Sequence, residues 1–205
     1  MSGAFRVEQT VTSGTFSLDG GTFDVDNNVW VLGDDDECLV VDPAHDLDAV
    51  AFLVGARTVA AVVCTHAHDD HCRYAPAAGA RFGAPVLLHP ADEPVWRLTH
   101  GDLRWDADLA DGDVLRVAGE EVRVVHTPGH SPGSVCLHVP ALHTVLSGDT
   151  LFQGGPGATG RSFSDRPTIE ASIRSRLFAL PDDTVVRTGH GDSTTIGAEA
   201  AALGR

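Results

Sequence analysis

The chain has no lysine: all 14 basic residues are Arg, set against 29 acidic residues, for a formal net charge of −15. Such a molecule repels phosphate backbones and anionic lipid at long range, which argues against a nucleic-acid or membrane-surface protein. Cysteine is sparse. Cys38, Cys64, Cys72 and Cys136 form no C-x-x-C pair, so neither a zinc ribbon nor a disulfide framework is indicated, and free thiols in a reducing cytoplasm are expected. The N-terminal residues lack the charged and apolar regions of a secretory leader, and no apolar run approaches the ~18 residues of a membrane helix. What remains is 42% hydrophobic and 21% charged over 205 residues. That suits one globular domain over 1–205, large enough to bury roughly 70% of its unfolded surface without a metal or disulfide to staple it.

Strand-like runs come first. Val29 to Leu32 and Cys38 to Val41 flank an acidic turn, and a short helix is expected over Asp46 to Val54, with Leu47, Val50 and Val54 on one face. Further strands are expected at Val59 to Thr65, Pro85 to His89, Glu121 to His126, Ser134 to Val139, Thr144 to Leu146 and Val185-Val186. Helices are expected over Ile169 to Leu180, ended by Pro181, and from Ile196 onward. The order lacks the regular alternation of a doubly wound sheet and fits two mixed sheets with helices outside. The glycine-rich loop from Gln153 to Arg166 is long enough to be functional or mobile.

The informative segment is His66-Ala67-His68-Asp69-Asp70-His71. Random placement of 11 His predicts about 0.3 per such window. The run follows a buried strand, which delivers side chains to a sheet edge, and imidazole with carboxylate suits zinc, iron or manganese. Three later segments share one design, an apolar strand, a small residue and then a ligand type: Gly129-His130, Gly148-Asp149 and Gly189-His190. Glycine at that place is expected to let the backbone approach a metal closely.

His66-x-His68-x-Asp70-His71, followed in order by His130, Asp149 and His190, resembles the metallo-β-lactamase superfamily over nearly the whole chain. The resemblance implies an α/β fold, an αββα sandwich with two mixed β-sheets flanked by helices and two divalent metal ions at the sheet edges, zinc first, with iron or manganese as alternatives. It implies that His66, His68 and His130 hold one metal, that Asp70, His71 and His190 hold the other, and that Asp149 bridges them. Asp42, in Val41-Asp42-Pro43, is expected behind the ligands as their support. Two such metals ionise a water and polarise a scissile carbonyl, with Asp70 as the catalytic residue that orients the nucleophile.

Asp149 stands where β-lactam-destroying members typically have Cys or Ser, and His68 where flavodiiron oxygen reductases have Glu. The acidic charge counts against the RNA-processing nucleases. Ser147-Gly148-Asp149-Thr150-Leu151-Phe152 and Gly189-His190-Gly191-Asp192 resemble the small type II glyoxalase-like thioester hydrolases. The expected substrate is therefore a small-molecule thioester of glutathione or, given the GC-rich composition, of mycothiol. Longer glyoxalases carry a C-terminal helical domain that helps bind glutathione, whereas about fifteen residues follow His190 here, and Asp192 stands where they have an aromatic. The thiol half of the site is expected to differ accordingly. Gly160-Arg161-Ser162-Phe163 resembles the glyoxalase segment that contacts the thiol, so Arg161 and Phe163 are expected substrate-binding residues. The alternative on the same fold is a persulfide dioxygenase with one iron on His66, His130 and Asp149; a dead-site binding module predicts a lost ligand, and none is lost. His45, His89 and Cys72 have no role in this pattern, and nothing in the sequence fixes an oligomeric state.

Overall fold

The computed structural model of the protein describes residues 3–204. One mixed sheet holds β1 (Arg6–Leu18), β2 (Gly21–Gly33), β3 (Glu37–Val41), β4 (Thr58–Val63), β5 (Val86–Leu88) and β6 (Ala107–Asp108), in that spatial order. Its first three strands pair antiparallel and the rest parallel. The second mixed sheet is built from β7 (Val114–Val117), β8 (Glu120–His126), β9 (Val135–Val139), β10 (Thr144–Gly148), β13 (Val185–Thr188) and β14 (Thr194–Thr195), ordered β14-β13-β10-β9-β8-β7. A separate small hairpin pairs β11 (Leu151–Phe152) with β12 (Gly155–Pro156).

The helices are α1 (Leu47–Val54), α2 (Asp69–Cys72), α3 (Ala75–Phe82), α4 (Glu93–His100), α5 (Arg166–Ser172) and α6 (Ile196–Ala202), with a wider turn over Ile173–Leu177 continuing α5. Three apolar layers explain how they stack. Trp30, Leu32, Leu39, Val41 and Val63 of the first sheet meet Val122, Val124, Leu137, Val139 and Leu146 of the second. On the outer face of the first sheet, Val29, Val31, Val40 and Val62 pack on Val50 and Val54 of α1 and on Ala75, Ala78 and Trp96. On the outer face of the second, Cys136, Val145 and Val186 pack on Ile169, Ile173, Leu177 and Ile196. Side chains of a strand alternate between faces, so each central strand feeds two of these layers at once. The result is the expected αββα sandwich.

Several expected elements start where their caps dictate. Asp46 caps α1 by accepting from the Asp48 and Ala49 amides, and Gly55 closes it at φ 65°. Asp165 caps α5 by accepting from the Thr168 amide, which moves the helix start to Arg166, ahead of the apolar stripe. The long β1–β2 hairpin closes through Asp19 and Gly20, both at positive φ (54° and 76°), the geometry of a type I′ turn. Among the described residues no helix is long and apolar enough to cross a membrane, and all four cysteines are buried and free.

Candidate metal centre

Loops at the ends of β3, β4, β8, β10 and β13 meet between the two sheets and bring the predicted ligand types together. His68 Nδ1 lies 3.1 Å from His66 Nε2 and 2.9 Å from His130 Nε2. A second group is formed by Asp70 Oδ2, His71 Nε2 and His190 Nε2, separated by 3.2 to 3.4 Å. Both groups have the compactness of a metal-holding triad. Asp149 reaches each: its Oδ1 is 3.4 Å from His71 Nε2, and its Oδ2 is 3.4 Å from His190 Nε2 and 3.5 Å from His130 Nε2.

The far nitrogens of the rings explain why the near ones point inward. Thr65 donates its hydroxyl to Asp42 Oδ2 at 2.6 Å and so accepts from His66 Nδ1 at 3.1 Å. His71 Nδ1 donates to Asp42 Oδ2 at 3.0 Å, His130 Nδ1 to the Ala158 carbonyl at 2.9 Å, and His190 Nδ1 to the Asp26 carbonyl at 2.7 Å. Four rings thereby aim Nε2 at the centre, the pattern by which supporting groups orient metal-binding imidazoles. His68 differs. It turns Nδ1 inward, its buried Nε2 has no hydrogen-bond partner among the described residues, and its ring leans on Phe16 with centroids 5.1 Å apart. Asp42 is itself close to His66 and His71, but its two oxygens already serve the Thr65 amide, the Thr65 hydroxyl and His71. It supports the rings rather than facing the centre, and it holds the left-handed conformation (φ 51°) to do so.

The donor set fits divalent ions. Asp149 Oδ1 is buried and, apart from His71 Nε2 at 3.4 Å, has no hydrogen-bond partner among the described residues, a carboxylate oxygen that a cation would satisfy. Burial, reinforced by His71 and His68, keeps the His66 imidazole well below its ordinary pKa, and burial with His130 pushes His68 down to about 3. These rings are neutral donors. In the second group the sign reverses. Burial opposes charge at His71 and His190, but Asp70 and Asp149 overcome it and raise them to about 9 and about 11. Burial likewise disfavours the Asp70 carboxylate, yet His71 and His190 hold it down at about 2. The field there stabilises positive charge, whether carried by a proton or by a metal.

Two neighbours on β2 anchor the centre, and sequence reading missed both. Asn27 donates from Nδ2 to Asp70 Oδ2 at 3.1 Å and takes His45 Nε2 on its Oδ1 at 2.8 Å. Asn28 donates to the Thr188 and Gly191 carbonyls at 3.0 and 2.8 Å, fixing the loop that carries His190. Adjacent strand residues point opposite ways, so one Asn pair steadies two loops. The signal was present as two fully buried-type amides in an apolar run, Asn27-Asn28-Val29-Trp30. The glycines before Asp149 and His190 do leave room, but for protein atoms. A Cβ on Gly148 would come within 2.4 Å of Thr65 Oγ1, and one on Gly189 within 2.2 Å of Asp149 Oδ1.

A cavity of about 220 Å³ opens onto these residues, lined by Phe16, Phe23, Val25, His68, Asp70, His130, Asp149, Ala158, Arg161 and His190. Its outer wall is the tip of the β1–β2 hairpin. The Arg161 guanidinium lies 4.5 Å from the Phe23 ring centroid and 5.7 Å from that of Phe16, and, behind hydrogen bonding from Ser162, its charge helps lower the pKa of the exposed Asp19 carboxylate. The Ser162 amide donates to Asp19 Oδ2 at 2.9 Å, tying the glycine-rich loop to the hairpin turn. Phe163 sits in the left-handed region (φ 70°), is 41% exposed and does not line the cavity. A larger cavity of about 530 Å³ near α3 and α4 contains none of the site residues. His89 stacks on His126 with centroids 4.0 Å apart, away from the centre, and Cys72 donates its thiol to the Ala67 carbonyl at 3.3 Å.

The sequence profile described as the metallo-beta-lactamase superfamily matches residues 22–190. A probable metallo-hydrolase, YqgX of Bacillus subtilis (strain 168), is 35% identical over 184 residues, covering 82% of this chain and 87% of its own. A hydroxyacylglutathione hydrolase of Aeromonas salmonicida (strain A449) is 35% identical over 168 residues, covering 80% of this chain and 61% of its own. Among solved structures, the BLEG-1 B3 metallo-beta-lactamase superposes with a TM-score of 0.77 at 32% identity, covering 93% and 97% of the two chains. TTHA1623 in a di-iron-bound form superposes with a TM-score of 0.76 at 30% identity, covering 87% and 94%.

Proposed function

The chain belongs to the metallo-beta-lactamase superfamily, and we propose that within it this protein is a dinuclear metal-dependent hydrolase that cleaves thioesters of a small thiol. The observation that carries the two-metal reading is the Asp149 carboxylate, whose oxygens face His71 and His190 on one side and His130 on the other. His66, His68 and His130 would hold one ion, Asp70, His71 and His190 the other, and Asp149 both. Bound there, two ions supply Lewis acidity toward a carbonyl and lower the pKa of a water between them. Zinc suits the nitrogen-rich first group, while iron or manganese also suits the carboxylate-bearing second.

The chain's own residues do the rest. Asn27 donates to Asp70 Oδ2, the oxygen that also faces His71 and His190, and so fixes a carboxylate at the cavity that would orient a nucleophilic water and take up its proton. Phe16, Phe23 and Val25 exclude bulk water from one side of the reacting carbonyl. Arg161, at the mouth beside the exposed Asp19, is placed to take a carboxylate or similarly polar anionic head of the thiol through paired N–H donors. The thioester assignment draws on this cation at the cavity mouth and on the likeness to the hydroxyacylglutathione hydrolase, of which the chain spans 61%.

Metal analysis of the purified protein, followed by hydrolysis assays on S-acyl glutathione, S-acyl mycothiol and a β-lactam, tests the proposal. Two ions per chain with thioester turnover are expected. One iron per chain with oxygen uptake on a persulfide would replace it by the dioxygenase reading, and turnover of the β-lactam alone would replace it by lactamase activity.

A further inference from the structure

Behind the first group of imidazoles lies a carboxylate that touches none of them. Asp92 ends the turn Pro90–Asp92, just after β5, and is 0% exposed. Its Oδ2 accepts from the Ala67 amide at 2.8 Å and from the Ser131 hydroxyl at 2.8 Å, and its Oδ1 accepts from the Gly133 amide. Ala67 separates His66 from His68, and Ser131 follows His130. One buried carboxylate therefore clasps both loops that carry the first group, one loop from each sheet. The fit is close: a Cβ on Gly133 would meet the Asp92 backbone nitrogen at 2.7 Å and its Cβ at 2.8 Å. The Ser131 amide and hydroxyl are in turn bonded to Ser134 Oγ, at 3.1 and 2.8 Å.

A buried ion is retained only where its lone pairs are occupied, and three donors from two loops occupy this one. Among the described residues no single carboxylate spans the Asp70–His71 and His190 loops in this way; Asn27 and Asn28 hold them instead. We propose that Asp92 is a positioning residue for the first metal group alone, setting the distance between the His66–His68 loop and the His130 loop. The inference rests on the two-group reading of the centre given above. It names a residue that neither ligates a metal nor meets substrate.

The chemistry of a substitution follows from the donors. Asp92→Asn preserves size but replaces one acceptor oxygen by an NH₂: at the Oδ1 place it leaves the Gly133 N–H facing a donor, and at the Oδ2 place the Ala67 N–H, so in either orientation one backbone donor of the clasp loses its acceptor. Loss of a group that orients metal ligands typically weakens the metal 10- to 100-fold.

Zinc titration of the full chain against a chromophoric chelator can separate the two groups by background. His190→Ala leaves the first group whole, and His130→Ala leaves the second whole. In the His190→Ala background, Asp92→Asn is expected to weaken zinc about 10- to 100-fold, whereas in the His130→Ala background the change should stay under about threefold. Ser131→Ala, which removes one donor and disturbs the core little, should weaken zinc in the same background only, by a smaller factor, and it decides the matter if Asp92→Asn does not fold. Equal weakening in both backgrounds, or none in either, overturns the proposal. A parent protein that binds fewer than two zinc ions overturns the reading of the centre itself.

Discussion

Arg161→Ala tests the substrate side of the proposed function. The guanidinium stacks 4.5 Å from Phe23 at the cavity mouth, and its charge acts on the exposed Asp19 carboxylate. Removing it costs the protein a ring contact at an exposed site and leaves no buried partner stranded, so thermal stability should hardly change. The substrate loses more. A hydrogen bond to a charged group contributes about 1.5–3 kcal/mol, and ~1.4 kcal/mol corresponds to tenfold in binding. If Arg161 grips the thiol end in ground and transition states alike, KM should rise roughly 10- to 100-fold with kcat little changed. Arg161→Lys keeps the charge but loses the planar fork, so an intermediate KM is expected. Because the site opens to solvent, the effect should shrink as salt is raised. Steady-state kinetics on the best thioester at low and moderate ionic strength read all of this. Unchanged KM and kcat would refute the reasoning and place the thiol pocket elsewhere, and a fall in kcat alone would move Arg161 to the reacting carbonyl.

Three further outcomes follow from the centre and the core. Asp70→Asn keeps the Asn27 contact but removes the proton acceptor, and kcat should fall roughly 10²- to 10⁴-fold; a drop under tenfold would leave Asp70 a ligand only. Chelation should leave far-UV circular dichroism intact, because three apolar layers pack without the metals. Each ion removed from 100 times its dissociation constant withdraws about 2.7 kcal/mol, which at ~2–4 °C per kcal/mol lowers Tm by roughly 5–11 °C. Burial pushes the Cys136 thiol up to about 11 and those of Cys64 and Cys72 well above their ordinary value. A thiol reagent at pH 8 should therefore label none of these three in the native protein and all of them after denaturation; prompt native labelling of Cys72 would contradict its burial.

The sandwich and the ligand-bearing loops were legible because both leave dense local marks: apolar runs such as Val59 to Cys64, and His or Asp directly after them. Elements with no such mark were missed. β1 is polar over most of its length, being held by pairing with β2 along its whole extent and by little burial of its own; Asp19-Gly20 was its one local sign. α3 buries Ala75, Ala78 and Gly79, residues too small to register as an apolar stripe. α4 opens at Glu93-Pro94, which reads as a turn until Val95 and Trp96 are seen buried. The support behind the ligands was partly legible, in Asp42. Thr65, Asn27 and Asp92 were not: the Thr65 hydroxyl gains its role only through Asp42, 23 residues earlier, and Asn27 and Asp92 act across 43 and 25 to 41 residues, on Asp70, Ala67 and Gly133.

The unbroken pairing of the β1–β2 hairpin, from Arg6 opposite Gly33 to Leu18 opposite Gly21, separates two kinds of change. Asn27 and Asn28, which steady the centre, lie part-way along it; Phe16 and Phe23, which wall the cavity, lie near its turn. A matched insertion or deletion of two residues on each strand beyond Asn27 lengthens or shortens the wall by about 7 Å, since a strand advances about 3.4 Å per residue. An even step preserves which side chains face the cavity. The reach of the pocket can thus drift during descent, while the residues at its floor keep their geometry.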